Sequence, residues 1–92
     1  MPISLVPLDG GPSHEIAMPI MLVGRSDECE MKLDAAGVFD LHCVLVLTDG
    51  LVLLRDLGTE STCVNGQRVR RAALLPNDQL TIGSCRFRVQ WD

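Results

Sequence analysis

The feature that most constrains this chain is its punctuation. Clusters rich in Gly, Pro, Asn and Asp recur about every ten residues. They fall at Asp9-Gly10-Gly11-Pro12, at residues 34–37, and at Asp49-Gly50, Asn65-Gly66 and Pro76-Asn77-Asp78. Each supplies residues that tolerate a positive φ or pre-set a turn, so no regular element runs far past it. Between them lie short apolar runs at 3–8, 18–23, 30–33, 42–48, 51–56, 62–64, 67–69, 79–82 and 85–91. Short strands at this spacing are the rhythm of an antiparallel β-sandwich or barrel, so the expected class is all-β.

Two hairpins are well marked. Asp49-Gly50 joins 42–48 to 51–56, and Asn65-Gly66 joins 62–64 to 67–69; both dipeptides suit two-residue hairpin turns. The last strand alternates, with Cys85, Phe87, Val89 and Trp91 on one face and Arg86, Arg88 and Gln90 on the other. That pattern predicts a half-buried antiparallel strand. Leu51 to Leu54 is apolar throughout, which suits a strand covered on both faces. His14 and Glu15 read as an exposed loop. Residues 68–75 carry helix formers, but for only about one turn before Pro76, and no segment is assigned as a helix.

A length of 92 residues predicts one domain spanning 1–92, with no internal repeat and no linker. Hydrophobic residues make up 47% and charged residues 22%, the balance of a soluble globular protein. Aromatics are 3%, so the core must be aliphatic. No apolar run approaches the ~18 residues that span a bilayer, and residues 1–7 lack the pattern of a signal peptide. The expectation is a cytoplasmic protein, or a module of a longer one, with no membrane partner. The cysteines Cys29, Cys43, Cys63 and Cys85 form no C-x-x-C pair and have no His at a ligand spacing. They read as small buried hydrophobes rather than metal ligands or a disulfide framework, and no cofactor is expected. No Gly-rich phosphate loop, paired-carboxylate motif or Ser-His-Asp order points to an enzyme. His42 and Cys43 are adjacent on a strand, so they face opposite ways and make a poor nucleophilic pair.

The net charge of −4 and pI near 4.9 argue against nucleic acid as the partner, except through a local patch. The candidate patch is Arg68, Arg70 and Arg71, extended by Arg86 and Arg88. Its simpler reading is a solvated hairpin edge, protected by charge from unwanted pairing.

Three landmarks line up along the chain. Gly24-Arg25-Ser26 follows the second strand, His42 opens the central hairpin, and Asp56-Leu57-Gly58 leads through Thr62 to Val64-Asn65-Gly66. This order and spacing resembles the forkhead-associated (FHA) domain, a β-sandwich that reads phosphothreonine peptides. The resemblance runs over residues 21–91 and includes the closing segment from Leu75 to Gly83. It implies an FHA-type sandwich and a peptide-binding role. It also implies phosphate contact by Arg25 with Ser26 beside it, a bracing His42, a bend at Gly24, and a hairpin built by Asn65 and Gly66. A phosphothreonine brings nearly two negative charges and three acceptor oxygens, which an Arg fork meets with paired bonds.

The binding loops depart from the family pattern. Phe39 stands where the family has a phosphate-binding Ser, and it offers no donor. Asp40 stands where a basic residue is usual, and an acid there repels phosphate. The run Asp56-Leu57-Gly58-Thr59-Glu60-Ser61-Thr62 is one residue shorter than the family's. In it Thr59 fills a hydroxyl position, Glu60 replaces the peptide-clamping Asn, and Ser61 replaces a Gly. Asp40 or Glu60 is expected to pair with Arg25 in place of a phosphate. Phe39 is either an exposed contact at the loop tip or a core residue. The expected function is a protein-interaction module in signalling or scaffolding, with phosphothreonine recognition impaired or lost. Its expected partner is another protein or peptide, with self-association left open. One alternative is a working phosphothreonine reader through Arg25. Another is polyanion or nucleic-acid binding through Arg68, Arg70 and Arg71.

Overall fold

The computed structural model describes residues 2–92. Within them the chain forms β1 (Ile3–Pro7), β2 (His14–Glu15), β3 (Ile20–Gly24), β4 (Met31–Lys32), β5 (Cys43–Thr48), β6 (Leu51–Asp56), β7 (Thr62–Val64), β8 (Gln67–Arg68), β9 (Arg71–Leu74), β10 (Gln79–Ile82) and β11 (Cys85–Trp91). They make a β-sandwich. One sheet runs β2-β1-β11-β10-β7-β8 and the other β4-β3-β5-β6-β9. Every pairing with a defined register is antiparallel except β3 with β4.

Alternation along each strand sends one set of side chains inward. Leu5, Leu80, Ile82, Phe87 and Val89 from one sheet meet Val23, Cys43, Leu45, Val52, Leu54 and Leu74 from the other. The core is aliphatic around the single ring of Phe87, with Trp91 at its margin. Each such Leu, Val or Phe contributes about 1.5–3 kcal/mol by leaving water. Asp49 and Gly50 take φ of 51° and 75°, and Asn65 and Gly66 take 52° and 82°. These are the paired positive values of a type I′ turn, and they fix the registers Thr48↔Leu51 and Val64↔Gln67.

Two local expectations are corrected, and one strand appears where none was expected. The stretch with helix-forming residues contains β9, which adds to β6 in the register Val52↔Leu74 to Arg55↔Arg71. Leu74 is wholly buried there, so the tertiary contact overrides a weak local preference. His14 and Glu15 are not loop; they pair with β1, and the His14 ring meets Phe87 edge-on at 5.8 Å. β6 is covered on one face only. Val52 and Leu54 are buried, while Leu51 and Leu53 are 43% and 40% exposed. The cysteines also divide: Cys29 and Cys43 are buried, Cys63 and Cys85 half-buried, and all four thiols are free.

Candidate functional site

Strand β3, the segment that precedes β5 and the loop that follows β6 are tied together by one buried histidine. His42 has no solvent exposure. Its Nδ1 accepts from the Phe39 amide at 3.1 Å. The proton therefore sits on Nε2, which reaches the Ser61 carbonyl at 3.2 Å and the Thr59 hydroxyl at 3.3 Å. Its backbone adds two more ties, donating to the Val23 carbonyl and accepting from the Leu57 amide. One residue thus ties β3, the segment before β5 and the loop after β6 to one another.

The loop after β6 is wound around Asp56. One carboxylate oxygen accepts from the amides of Gly58, Thr59 and Glu60 at 3.0, 2.8 and 3.1 Å. The other accepts from the hydroxyls of Thr59 and Thr62. Burial raises this carboxyl's pKa, but the Thr59 and Thr62 hydroxyls with the Glu60 and Thr59 amides outweigh it. The net result is below the ordinary 3.8. Thr59 is itself buried, and its hydroxyl also accepts from the Ser61 amide at 3.0 Å. That hydroxyl is committed inside the loop and does not stand free at the surface. Glu60 follows with φ of 58°, a left-handed backbone that non-Gly residues avoid.

The Arg25 loop is joined to the Phe39–Asp40 segment through backbone. The Arg25 and Ser26 amides donate to the carbonyls of Phe39 and Asp40 at 3.0 and 3.1 Å. This pairing explains Gly24. A Cβ there would lie 2.1 Å from the Asp40 carbonyl oxygen, so glycine is required for close approach, not for a bend. Ser26 Oγ accepts from the Glu28 amide at 3.2 Å and shapes the turn behind Arg25. The acid expected on Arg25 is corrected. Neither Asp40 nor Glu60 pairs with it; Asp34 does, at 3.1 Å. Asp34 is brought there because the Leu33 amide bonds to the Gly24 carbonyl. Phe39 is 51% exposed, with its ring edge against His42, so it stands at the loop surface and not in the core. Asp40, Glu60, Arg68, Arg70 and Arg71 are exposed, Ser26 and Ser61 half-exposed. Asn65 and Gly66 form the hairpin away from these loops, where Asn65 also binds Asp78 and the Gln79 amide.

A family model for the FHA domain matches residues 21–83. The chain belongs to the FHA domain family. Solved FHA domains share its whole architecture. One comes from a structural and functional study of phosphothreonine-dependent FHA domain interactions. It is 24% identical, with a TM-score of 0.92 over 100% of this chain and 98% of its own. The FHA domain of CT664 from Chlamydia trachomatis is 20% identical with a TM-score of 0.90, covering 100% and 99%. The N-terminal FHA domain of Rad53p from S. cerevisiae, solved with a phosphothreonine peptide, is 20% identical with a TM-score of 0.87, covering 100% and 94%. No curated protein sequence matches the chain.

Sequence reasoning passed over three residues that the FHA frame makes prominent. Asp56 was visible as part of a landmark but without a role; a carboxylate followed by Gly-Thr and a later Thr is the available signal for a wrapped turn. Asp34 had no signal, since it reaches Arg25 only through a loop-to-strand backbone bond. Arg55 stood alone in the sequence, and only the β6–β9 pairing sets it opposite Arg71.

Proposed function

We propose that this FHA domain is a protein-interaction module whose phosphothreonine recognition is weakened or lost. The observation that carries this reading is the state of Arg25. Its guanidinium is held by Asp34, and the adjoining segment offers an exposed Phe39 and an exposed Asp40 where hydroxyl and cationic partners would serve a phosphate. Thr59 adds no free donor, since its hydroxyl is spent on the loop. Phe39 supplies an apolar contact instead, of the kind that anchors protein interfaces. The reading includes a cytoplasmic setting, in which free thiols persist, and assigns no reaction.

One observation favours a working reader. The Arg25 and Asp34 side chains are 46% and 73% exposed, and such surface pairs are worth about 0–1 kcal/mol. A phosphate dianion can outcompete a contact that weak. Calorimetric titration with a phosphothreonine peptide library decides between the two, run beside unphosphorylated peptides and Arg25→Ala. The expected result is no phosphate-dependent heat from folded protein. Phosphate-dependent binding that Arg25→Ala abolishes overturns the reading. Phe39→Ser with Asp40→Arg and Glu60→Asn tests its cause: gain of phosphopeptide binding locates the loss in those side chains, and no gain locates it in the shortened loop.

A further inference from the structure

The strongest unassigned feature lies on the far side of the loop after β6. A cleft of about 480 Å3 is lined by Arg55, Arg68, Arg70 and Arg71, with Asp56, Gly58, Glu60 and Val69. It collects half of the chain's eight Lys and Arg residues. Among the described residues the ion pairs are made by Arg25, Lys32 and Arg86, so none of the four cleft arginines has a carboxylate within 4.0 Å. Arg55 and Arg71 moreover stand directly opposite each other across β6 and β9. Like charges in that position destabilise a sheet. The chain therefore keeps an unfavourable arrangement on an exposed face while its net charge is −4.

We propose that this cleft binds an acidic segment of a protein partner, whose oxyanions bridge Arg55 and Arg71 and reach Arg68 and Arg70 at the rim. An Arg fork takes a carboxylate or phosphoryl group with paired hydrogen bonds. The positions are fixed in advance. Besides the strand pairing, the Asp56 amide bonds to the Arg70 carbonyl at 2.7 Å and the Val69 amide to the Thr62 carbonyl at 3.0 Å. The acids of the lining do not fill the site. Asp56 is already saturated by loop donors, and Glu60 is exposed with no cation within 4.0 Å. The acidity of the rest of the surface confines an acidic peptide to this place. Nucleic acid fits less well, because the lining holds no aromatic ring on which a base can stack and places two carboxylates along the groove. This inference concerns a surface other than Arg25 that shares Gly58 and Glu60 with the loop after β6, and it goes beyond the reading of the phosphothreonine loops.

The test titrates the 92-residue chain into a fluorescein-labelled peptide of alternating Glu and Gly, with a Gln-Gly peptide as control. Anisotropy should show binding of the acidic peptide alone, lost on raising salt to about 0.5 M. Arg55→Gln with Arg71→Gln should weaken it about tenfold or more, while thermal melting shows the variant as stable as the parent or more so. Glu60→Gln should tighten it. A phosphoserine-Gly peptide that binds more tightly through the same two arginines also supports the site and names phosphate as the better ligand. Equal binding by the double variant, equal binding of the Gln-Gly peptide, or no binding overturns the proposal. So does a DNA duplex that displaces the acidic peptide at equal charge concentration.

Discussion

At the scale of single residues, the positions that matter most are those where backbone comes close to backbone. Gly24→Ala forces a methyl into the Asp40 carbonyl at 2.1 Å. Backbone on both sides leaves little room to yield, so a loss of about 2–3 kcal/mol is expected, read as a lower urea midpoint. Glu60 is the opposite case. Its left-handed φ of 58° suits Asn better than Glu, so Glu60→Asn should raise stability by up to about 1 kcal/mol in the same assay. Asp56 supplies a pH signature. Its folded carboxyl titrates below the ordinary 3.8. The stability it gives is complete above that value and drains away as pH falls through the folded one. Asp56→Asn should therefore lower stability at neutral pH and flatten the acid limb of the stability curve, measured by urea melts between about pH 2 and 7. At this scale the sequence showed which residues stand at the loops, because their order along the chain follows the family's. It did not show that Asp34 meets Arg25 or that the Thr59 hydroxyl turns inward, because both depend on hydrogen bonds between segments.

At the scale of elements, legibility tracked turn chemistry. Asp49-Gly50 and Asn65-Gly66 announce hairpins because positive φ is costly for most other residues, and both turns form as the dipeptides require. β9 was hidden because Arg71-Ala72-Ala73-Leu74 has no strand preference of its own and becomes a strand only by pairing with β6. β2, at two residues, is too short to carry a period. The apolar run of β6 misled because alternation buries only every second residue, leaving Leu51 outward opposite Thr48 and Leu53 outward between Val46 and Ala73. The β6–β9 pairing makes its own prediction. Arg71→Thr removes a cross-strand repulsion and should stabilise the sheet by about 0.2–1 kcal/mol at low ionic strength. The gain should vanish near 1 M salt, where charges are screened within about 3 Å.

At the scale of the whole molecule, a thin aliphatic core has to exclude water from two of its four thiols. Burial pushes the Cys43 thiol up to about 12 and raises those of Cys29 and Cys85 as well. A disulfide exchange reagent at neutral pH should therefore modify Cys63 first in the native protein and Cys85, half-buried but with a raised thiol, more slowly. Cys29 and Cys43 should react only in denaturant, a difference that mass spectrometry counts directly. The overall sandwich was the most legible level, since spacing of turns and period-two apolarity both constrain it and neither depends on distant contacts. One part of its wiring has a practical meaning. The turn before β11 packs on the loops before β5 and after β6, with the Gly83 amide on the Ser61 carbonyl and the Ser84 amide on that of Ala36. The other end of β11 puts Trp91 opposite Ile3, and the Asp92 amide closes on the Pro2 carbonyl. A seven-residue strand separates the two ends by about 20 Å. The domain is therefore a plug with both leads at its base. A short Gly-Ser bridge can join them, and the chain can be reopened at Asp49-Gly50, to give a circular permutant in which the loops around His42 never meet the new seam.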